Sequence, residues 1–194
     1  NFYMLYTTNN MKDGGQRMNE QLFHRLYDQY HSDVFQFLIY LLKDRSTAED
    51  LSHEVYIRAI RSYKNFRQDS SEKTWLFAIA KNVAIDHFRK VNVRSKHSLE
   101  YFDWEKEQLL SPEQSPEQNV LFNEQTNQLF EALDQCSGDQ KMVIILRYIQ
   151  QLSIQESATV LQWTESKVKT TQHRAIQKLK TLLKEHHERG NEYA

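Results

Sequence analysis

The stretch Leu152–Leu179, LSIQESATVLQWTESKVKTTQHRAIQKL, decides the reading of this chain. It is written as two short helices joined by a tight turn. Ser153 and Glu156 have the spacing of a capping box, in which each side chain satisfies a free backbone N–H of the helix start. Ala158 and Leu161 follow on the inward face, Gln162-Trp163-Thr164 forms the turn, and Thr164 can cap the next helix. From Ser166 to Lys184 there are six basic residues, Lys167, Lys169, Arg174, Lys178, Lys180 and Lys184, and no acidic one. A helix of that charge, presented by a preceding helix and turn, is what a helix-turn-helix inserts into the DNA major groove. The competing reading is a solvated amphipathic helix in an ordinary bundle.

Outward from this segment, composition narrows the fold class. The 194 residues include only four glycines and two prolines, and none of either lies between Gln16 and Ser111. The breakers needed for many β-turns are missing, so the chain is predicted to be all-α. One cysteine, Cys136, allows no internal disulfide and fits a reducing cytoplasm. The apolar runs Phe37–Leu42 and Met142–Leu146 are far too short to span a bilayer. Residues 1–17 lack the apolar core of a secretory signal and are set aside as a flexible N-terminal extension.

Charge alternates in blocks. Residues 18–57 carry 3 basic against 7 acidic side chains, and residues 58–96 carry 10 against 3. Residues 97–139 carry 1 against 10, and residues 140–194 carry 9 against 5. Two basic blocks around an acidic one imply two surfaces for a polyanion.

The periodicity gives the helices. Leu22, Leu26, Tyr30, Val34, Phe37, Leu38 and Leu41 recur at three- and four-residue steps. Ser46 and Glu49 have capping-box spacing, predicting a helix through Leu51, Val55 and Ile57 to about Tyr63. Asp69-Ser70-Ser71-Glu72 opens a third helix through Trp75, Leu76, Ile79, Val83, Ile85 and Phe88. The pattern decays from Asn92 to Asn119, an acidic stretch with both prolines, Pro112 and Pro116. It returns at Val120, with a turn at Cys136-Ser137-Gly138 and an apolar helix over Gln140–Ile149 before the helix-turn-helix. The prediction is two small helical domains, 18–91 and 120–185, joined by an acidic flexible linker over 92–119, with a tail over 186–194.

Enzyme chemistry finds no support in the sequence. A Gly-rich phosphate loop, GxSxG and HExxH are all missing, and neither the His24/His31 nor the His186/His187 pair has convincing metal-ligand spacing. No cofactor, metal or catalytic residue is expected.

Four segments in order carry a family resemblance: AEDLSHEVYIRA (Ala48–Ala59), FRQDSSEKTWLFAIAKNVAIDHFRK (Phe66–Lys90), SPEQNVLFNEQ (Ser115–Gln125) and Leu152–Leu179. Over about residues 20–183 the chain resembles the extracytoplasmic-function (ECF) sigma factors, small members of the bacterial sigma-70 family. The resemblance implies a cytoplasmic, non-enzymatic factor, monomeric when free. Its implied partners are promoter DNA, core RNA polymerase through the β′ clamp helices and β flap, and a membrane-bound anti-sigma factor.

By that resemblance Glu49, Asp50, Leu51, Glu54 and Val55 would bind core polymerase. Phe66, Arg67, Asp69, Ser70, Lys73 and Asn82 would hold the opened minus-10 element, with Arg58, Arg61, Lys81 and Arg89 on its backbone. An unstacked base is held by a pocket and hydrogen bonds to its exposed edge, helped by nearby cations. In the minus-35 reader, the periodicity leaves Lys169, Thr170, His173 and Arg174 pointing outward, with Lys167 near the helix start. Lys and Arg donate to guanine O6 and N7, and Thr offers a methyl or hydroxyl to a base edge. Lys178 and Lys180 suit phosphates. Two segments depart from the family pattern. Ser166-Lys167-Val168 stands where Gly-Thr-Val is common, and Ile176 follows Arg174-Ala175 where Arg is common. The alternative function is a one-component helix-turn-helix regulator that senses a ligand with its N-terminal helices. A third reading is a helical adaptor whose basic helix binds an acidic protein.

Overall fold

The computed structural model describes the backbone of residues 13–96 and 124–192, and side chains over 20–91 and 129–184. Most of the expected N-terminal extension and linker lie outside these residues. All regular structure among the described residues is helical. The elements are α1 (Asp13–Leu42), α2 (Arg45–Ser62), a 3-10 turn (Tyr63–Asn65), α3 (Glu72–Lys96), α4 (Glu124–Asp134), α5 (Gly138–Ile144), a π-helical turn (Ile145–Ile149), α6 (Ile154–Leu161) and α7 (Glu165–Glu192). No helix among them is long and apolar enough to cross a membrane.

The expected stripe of α1 is its buried face, with Leu26, Val34, Phe37, Leu38 and Leu41 fully inaccessible. The helix stops where Lys43 turns left-handed at φ 57°, its N–H still donating to the Ile39 carbonyl at 2.8 Å. Asp44 then caps α2 by accepting from the Thr47 N–H at 2.6 Å. The Ser46/Glu49 capping box anticipated from sequence is therefore displaced. Asp44 takes the N-cap two residues earlier, and Glu49 instead accepts from Arg45 Nε at 2.9 Å. Ser71 caps α3 through the Thr74 N–H at 3.1 Å. The three helices close around Tyr56 and an edge-to-face pair of Phe37 and Phe77, ring centroids 5.3 Å apart.

In the C-terminal half α5 starts at Gly138, two residues earlier than the sequence suggested, because Ser137 and Gln140 form a reciprocal capping box. Ala132, Leu133, Cys136, Ile144, Ala175 and Leu179 join α4, α5 and α7 into one small cluster. Lys141 is fully buried beside it, its ammonium 2.9 Å from Asp134 Oδ1.

The two halves are packed on each other. Most buried apolar residues of α1–α3 belong to a single continuous core with Met142, Val143, Ile145, Leu146, Leu152, Val160 and Val168. Helix α6 lies along α3, and the π-helical turn rests on α1. Polar and aromatic contacts border this junction. Tyr40 stacks on Phe130 at 4.7 Å, Lys43 pairs with Asp134, Gln150 Nε2 donates to Gln36 Oε1 at 3.3 Å, and Thr74 Oγ1 donates to Glu156 Oε1 at 3.5 Å.

Candidate nucleic-acid interface

The helix-turn-helix forms as its caps require. Glu156 accepts from the Ser153 N–H at 2.8 Å, and Ser153 Oγ accepts from the Glu156 N–H at 3.1 Å. The bond from the Ser153 N–H, the largest cause, holds the Glu156 carboxyl below its usual range. Gln162 ends α6 in the left-handed region at φ 59°, and Thr164 Oγ1 caps α7 by accepting from the Lys167 N–H at 3.2 Å. In α7 Val168, Ala175 and Leu179 are buried and Gln172 and Ile176 half-buried. Lys169, Thr170, His173 and Arg174 are all exposed on the opposite side, as the periodicity predicted.

The flanks of α7 are more constrained than the sequence suggested. Lys167 leans sideways, its ammonium 3.5 Å from Asp139 and 4.0 Å from the centroid of the Trp163 ring. A groove of about 510 Å³ opens there between the starts of α5 and α7, with Ser137, Asp139, Thr170 and Arg174 among its walls. Lys178, expected on phosphate, donates to the Gln135 carbonyl near the end of α4. On the other flank, Arg147 Nε donates to Gln172 Oε1 at 3.1 Å, and Gln172 Nε2 donates to the Tyr148 hydroxyl at 2.9 Å. Sequence reasoning missed this set. The signal was an Arg-Tyr pair just ahead of the motif and a polar residue at a boundary position of α7.

The second basic block centres on the loop between the 3-10 turn and α3. Phe66 packs against Tyr63 and Trp75, with ring centroids 5.8 and 5.0 Å away. All three rings are half-buried, so they wall a surface rather than fill the core. Glu72 braces this wall. It accepts from Arg25 at 2.6 and 2.7 Å and from the Tyr63 hydroxyl at 2.6 Å. The Arg25 hydrogen bonds hold the Glu72 carboxyl below its usual range, and the bond to Glu72 pushes the Tyr63 phenol up. Arg67 and Asp69 are exposed on the loop and Ser70 half-buried, with Gln68 left-handed at φ 59° between them. Arg61, Asn82 and Arg89 are exposed.

Three expected backbone or pocket cations have other engagements. Arg58 bridges Glu54 at 2.8 Å and Asp86 at 2.9 Å, and Lys73 pairs with Asp33 at 2.8 Å. Lys81 is buried, and desolvation lowers its ammonium pKa. It lies two turns beyond Thr74, on the same face of α3. Lys81, expected on the backbone of the minus-10 element, is thus not exposed in this arrangement.

On α2, Glu49 and Asp50 are exposed, and Leu51 and Glu54 are half-buried. Val55 is fully inaccessible within the core. Val55, expected on the same face, packs within the core cluster and is not on the surface.

A helix-turn-helix with an exposed basic row and an aromatic-walled loop with exposed arginines are two surfaces suited to nucleic acid, as in a DNA-binding transcription factor. The family model for Sigma-70 region 2 matches residues 26–94, and that for Sigma-70 region 4 matches residues 126–179. The chain is 48% identical over 161 residues to the ECF RNA polymerase sigma factor SigX of Bacillus subtilis, covering 83% of each. It is 35% identical over 162 residues to the ECF RNA polymerase sigma factor BldN of Streptomyces coelicolor, covering 83% of this chain and 60% of that one. Among solved structures, the sigma factor RpoE of Bartonella quintana, in complex with the anti-sigma factor NepR, superposes with a TM-score of 0.67 at 25% identity. That match covers 84% of this chain and 96% of the other. CnrH, solved with the cytosolic domain of CnrY, shares the fold with a TM-score of 0.61 at 18% identity, covering 94% of each chain. The chain belongs to the ECF RNA polymerase sigma factors of the sigma-70 family. It serves RNA polymerase in promoter recognition and transcription initiation.

Proposed function

We infer that the chain divides promoter recognition between its two basic surfaces. The domain over 120–185 reads the minus-35 duplex, with Lys169, Thr170, His173 and Arg174 on base edges and Lys167 steered to the groove side by Asp139 and Trp163. The observation that carries this is the outward row of those four side chains, directly opposite buried Val168, Ala175 and Leu179. The domain over 18–91 holds the opened minus-10 strand. Phe66 and its ring neighbours supply the pocket wall, Arg67, Asp69, Ser70 and Asn82 supply polar contacts, and Arg61 and Arg89 contact the backbone. Lys73, Arg58 and Lys178 join these contacts only by leaving their present partners, and Lys81 only by leaving its buried position.

The exposed carboxylates Glu49 and Asp50, with Glu54 and Leu51, form the face for the β′ clamp helices, and the C-terminal domain meets the β flap. The chain carries no catalytic role and works in the cytoplasm as a monomer until polymerase takes it up. RpoE and CnrH were each solved with a partner, in RpoE's case a named anti-sigma factor. A membrane-bound anti-sigma factor is the corresponding inhibitor here.

Retention by immobilised core RNA polymerase tests this reading. Wild-type protein binds in a one-to-one ratio, and Asp50→Lys with Glu54→Lys abolishes binding while the helical circular dichroism is kept. Undiminished retention of that variant would remove α2 from the polymerase interface.

A further inference from the structure

The contacts of Gln172 fix more than its own position. An arginine is only ever a donor, so the amide oxygen of Gln172 must face Arg147 Nε, 3.1 Å away. The amide nitrogen therefore faces Tyr148, and the hydroxyl of Tyr148 accepts its hydrogen bond at 2.9 Å. That hydroxyl has a single proton of its own. With its acceptor side committed to Gln172, the phenol is turned out as a donor, on a side chain 52% exposed.

The fold gives this donor a fixed place. Arg147 also donates through Nη1 to the Leu152 carbonyl, just before the Ser153 cap of the first motif helix. Tyr148 lies in the π-helical turn, where the Gln150 N–H reaches back five residues to the Ile145 carbonyl at 2.9 Å. The chain then passes through Gln151 at φ 56° into α6. These constraints hold the phenol beside Gln172 on α7, which lies one turn from Lys169 and next to His173, and which is not among the residues lining the Asp139 groove.

We propose that Tyr148 is a DNA-binding residue, donating its hydroxyl hydrogen to a phosphate oxygen of the minus-35 duplex, with Arg147 and Gln172 as positioning residues that set its polarity. The proposal rests on the reading of α7 as the duplex reader. It adds an uncharged phosphate clamp from outside the recognition helix. Such a contact fixes register without selecting a base.

The test uses holoenzyme reconstituted from core RNA polymerase and the full chain, with promoters selected from a library randomised at the minus-35 element. Promoter affinity is measured across a salt series for wild type, Tyr148→Phe, Gln172→Leu, the double variant and Arg174→Ala. Tyr148→Phe should weaken all selected promoters alike, by about 3- to 10-fold, as expected for one hydrogen bond. Its log–log salt slope should equal that of wild type, because no counterion-releasing charge is lost. Gln172→Leu should cost less in the Tyr148→Phe background than alone, since the two act through one hydroxyl. Unchanged affinity for Tyr148→Phe, a loss confined to one base position, or full additivity would each overturn the proposal. If Arg174→Ala also leaves affinity and base preference unchanged, the failure lies in the reading of α7 itself.

Discussion

Lys43 and Asp134, 91 residues apart, are joined in an ion pair whose carboxylate also holds the fully buried ammonium of Lys141. One carboxylate thus serves two lysines, one from each half of the protein. Burial lowers the Lys141 pKa, and the pairing with Asp134 works against that shift. Removing a partner from a buried ion costs far more than replacing the ion by an apolar side chain. Asp134→Ala should therefore destabilise the protein by about 3 kcal/mol, at the low end for such pairs because Asp134 is partly solvated. Lys141→Met should be close to neutral. Urea denaturation of both variants measures the contrast, and equal losses would count against it.

Gln162 carries a left-handed backbone at φ 59° without being glycine. Side-chain crowding there is relieved only when Cβ is absent. Gln162→Gly should raise stability by roughly 0.5–1 kcal/mol, read as a higher Tm with unchanged promoter choice.

Acid should loosen the wall of Tyr63, Phe66 and Trp75 that Glu72 braces. The folded Glu72 carboxyl lies below its usual value of 4.5, chiefly through Arg25. Its stabilising contribution is thus fully present above that value and lost as pH falls through the lower folded value. Glu72→Gln removes this pH-dependent contribution. The variant should start less stable at neutral pH and lose less stability between pH 5 and pH 3 than wild type, as followed by thermal melts.

On α7, Lys169→Ala or Arg174→Ala should weaken discrimination at the contacted base by roughly 1–3 kcal/mol while leaving core polymerase binding intact. Selection from a randomised minus-35 library reads the change directly. A uniform loss over all sequences would reassign these residues to phosphate.

Local chemistry was legible in the sequence and distant packing was not. The Ser153/Glu156 box, the Thr164 cap and the inward–outward split of α7 depend on neighbours within four residues, so spacing alone revealed them. The Ser46/Glu49 box failed because Asp44, following the Lys43 reversal, starts the helix two residues earlier and caps it through the Thr47 N–H. Val55 and Lys81, expected on the surface, are buried. A one-dimensional pattern gives a helix face without its occupant. The Arg147–Gln172–Tyr148 set needed the π-helical turn, which no periodicity announces.

The most direct test is transcription in vitro from a library with both promoter elements randomised, using core RNA polymerase with and without this chain. The account predicts transcripts that depend on the chain and are enriched in two separate sequence blocks. Lys169→Ala should alter only the upstream block, and Phe66→Ala only the downstream one. Transcription that does not depend on the chain, or a chain that binds palindromic DNA as a dimer without polymerase, would contradict it.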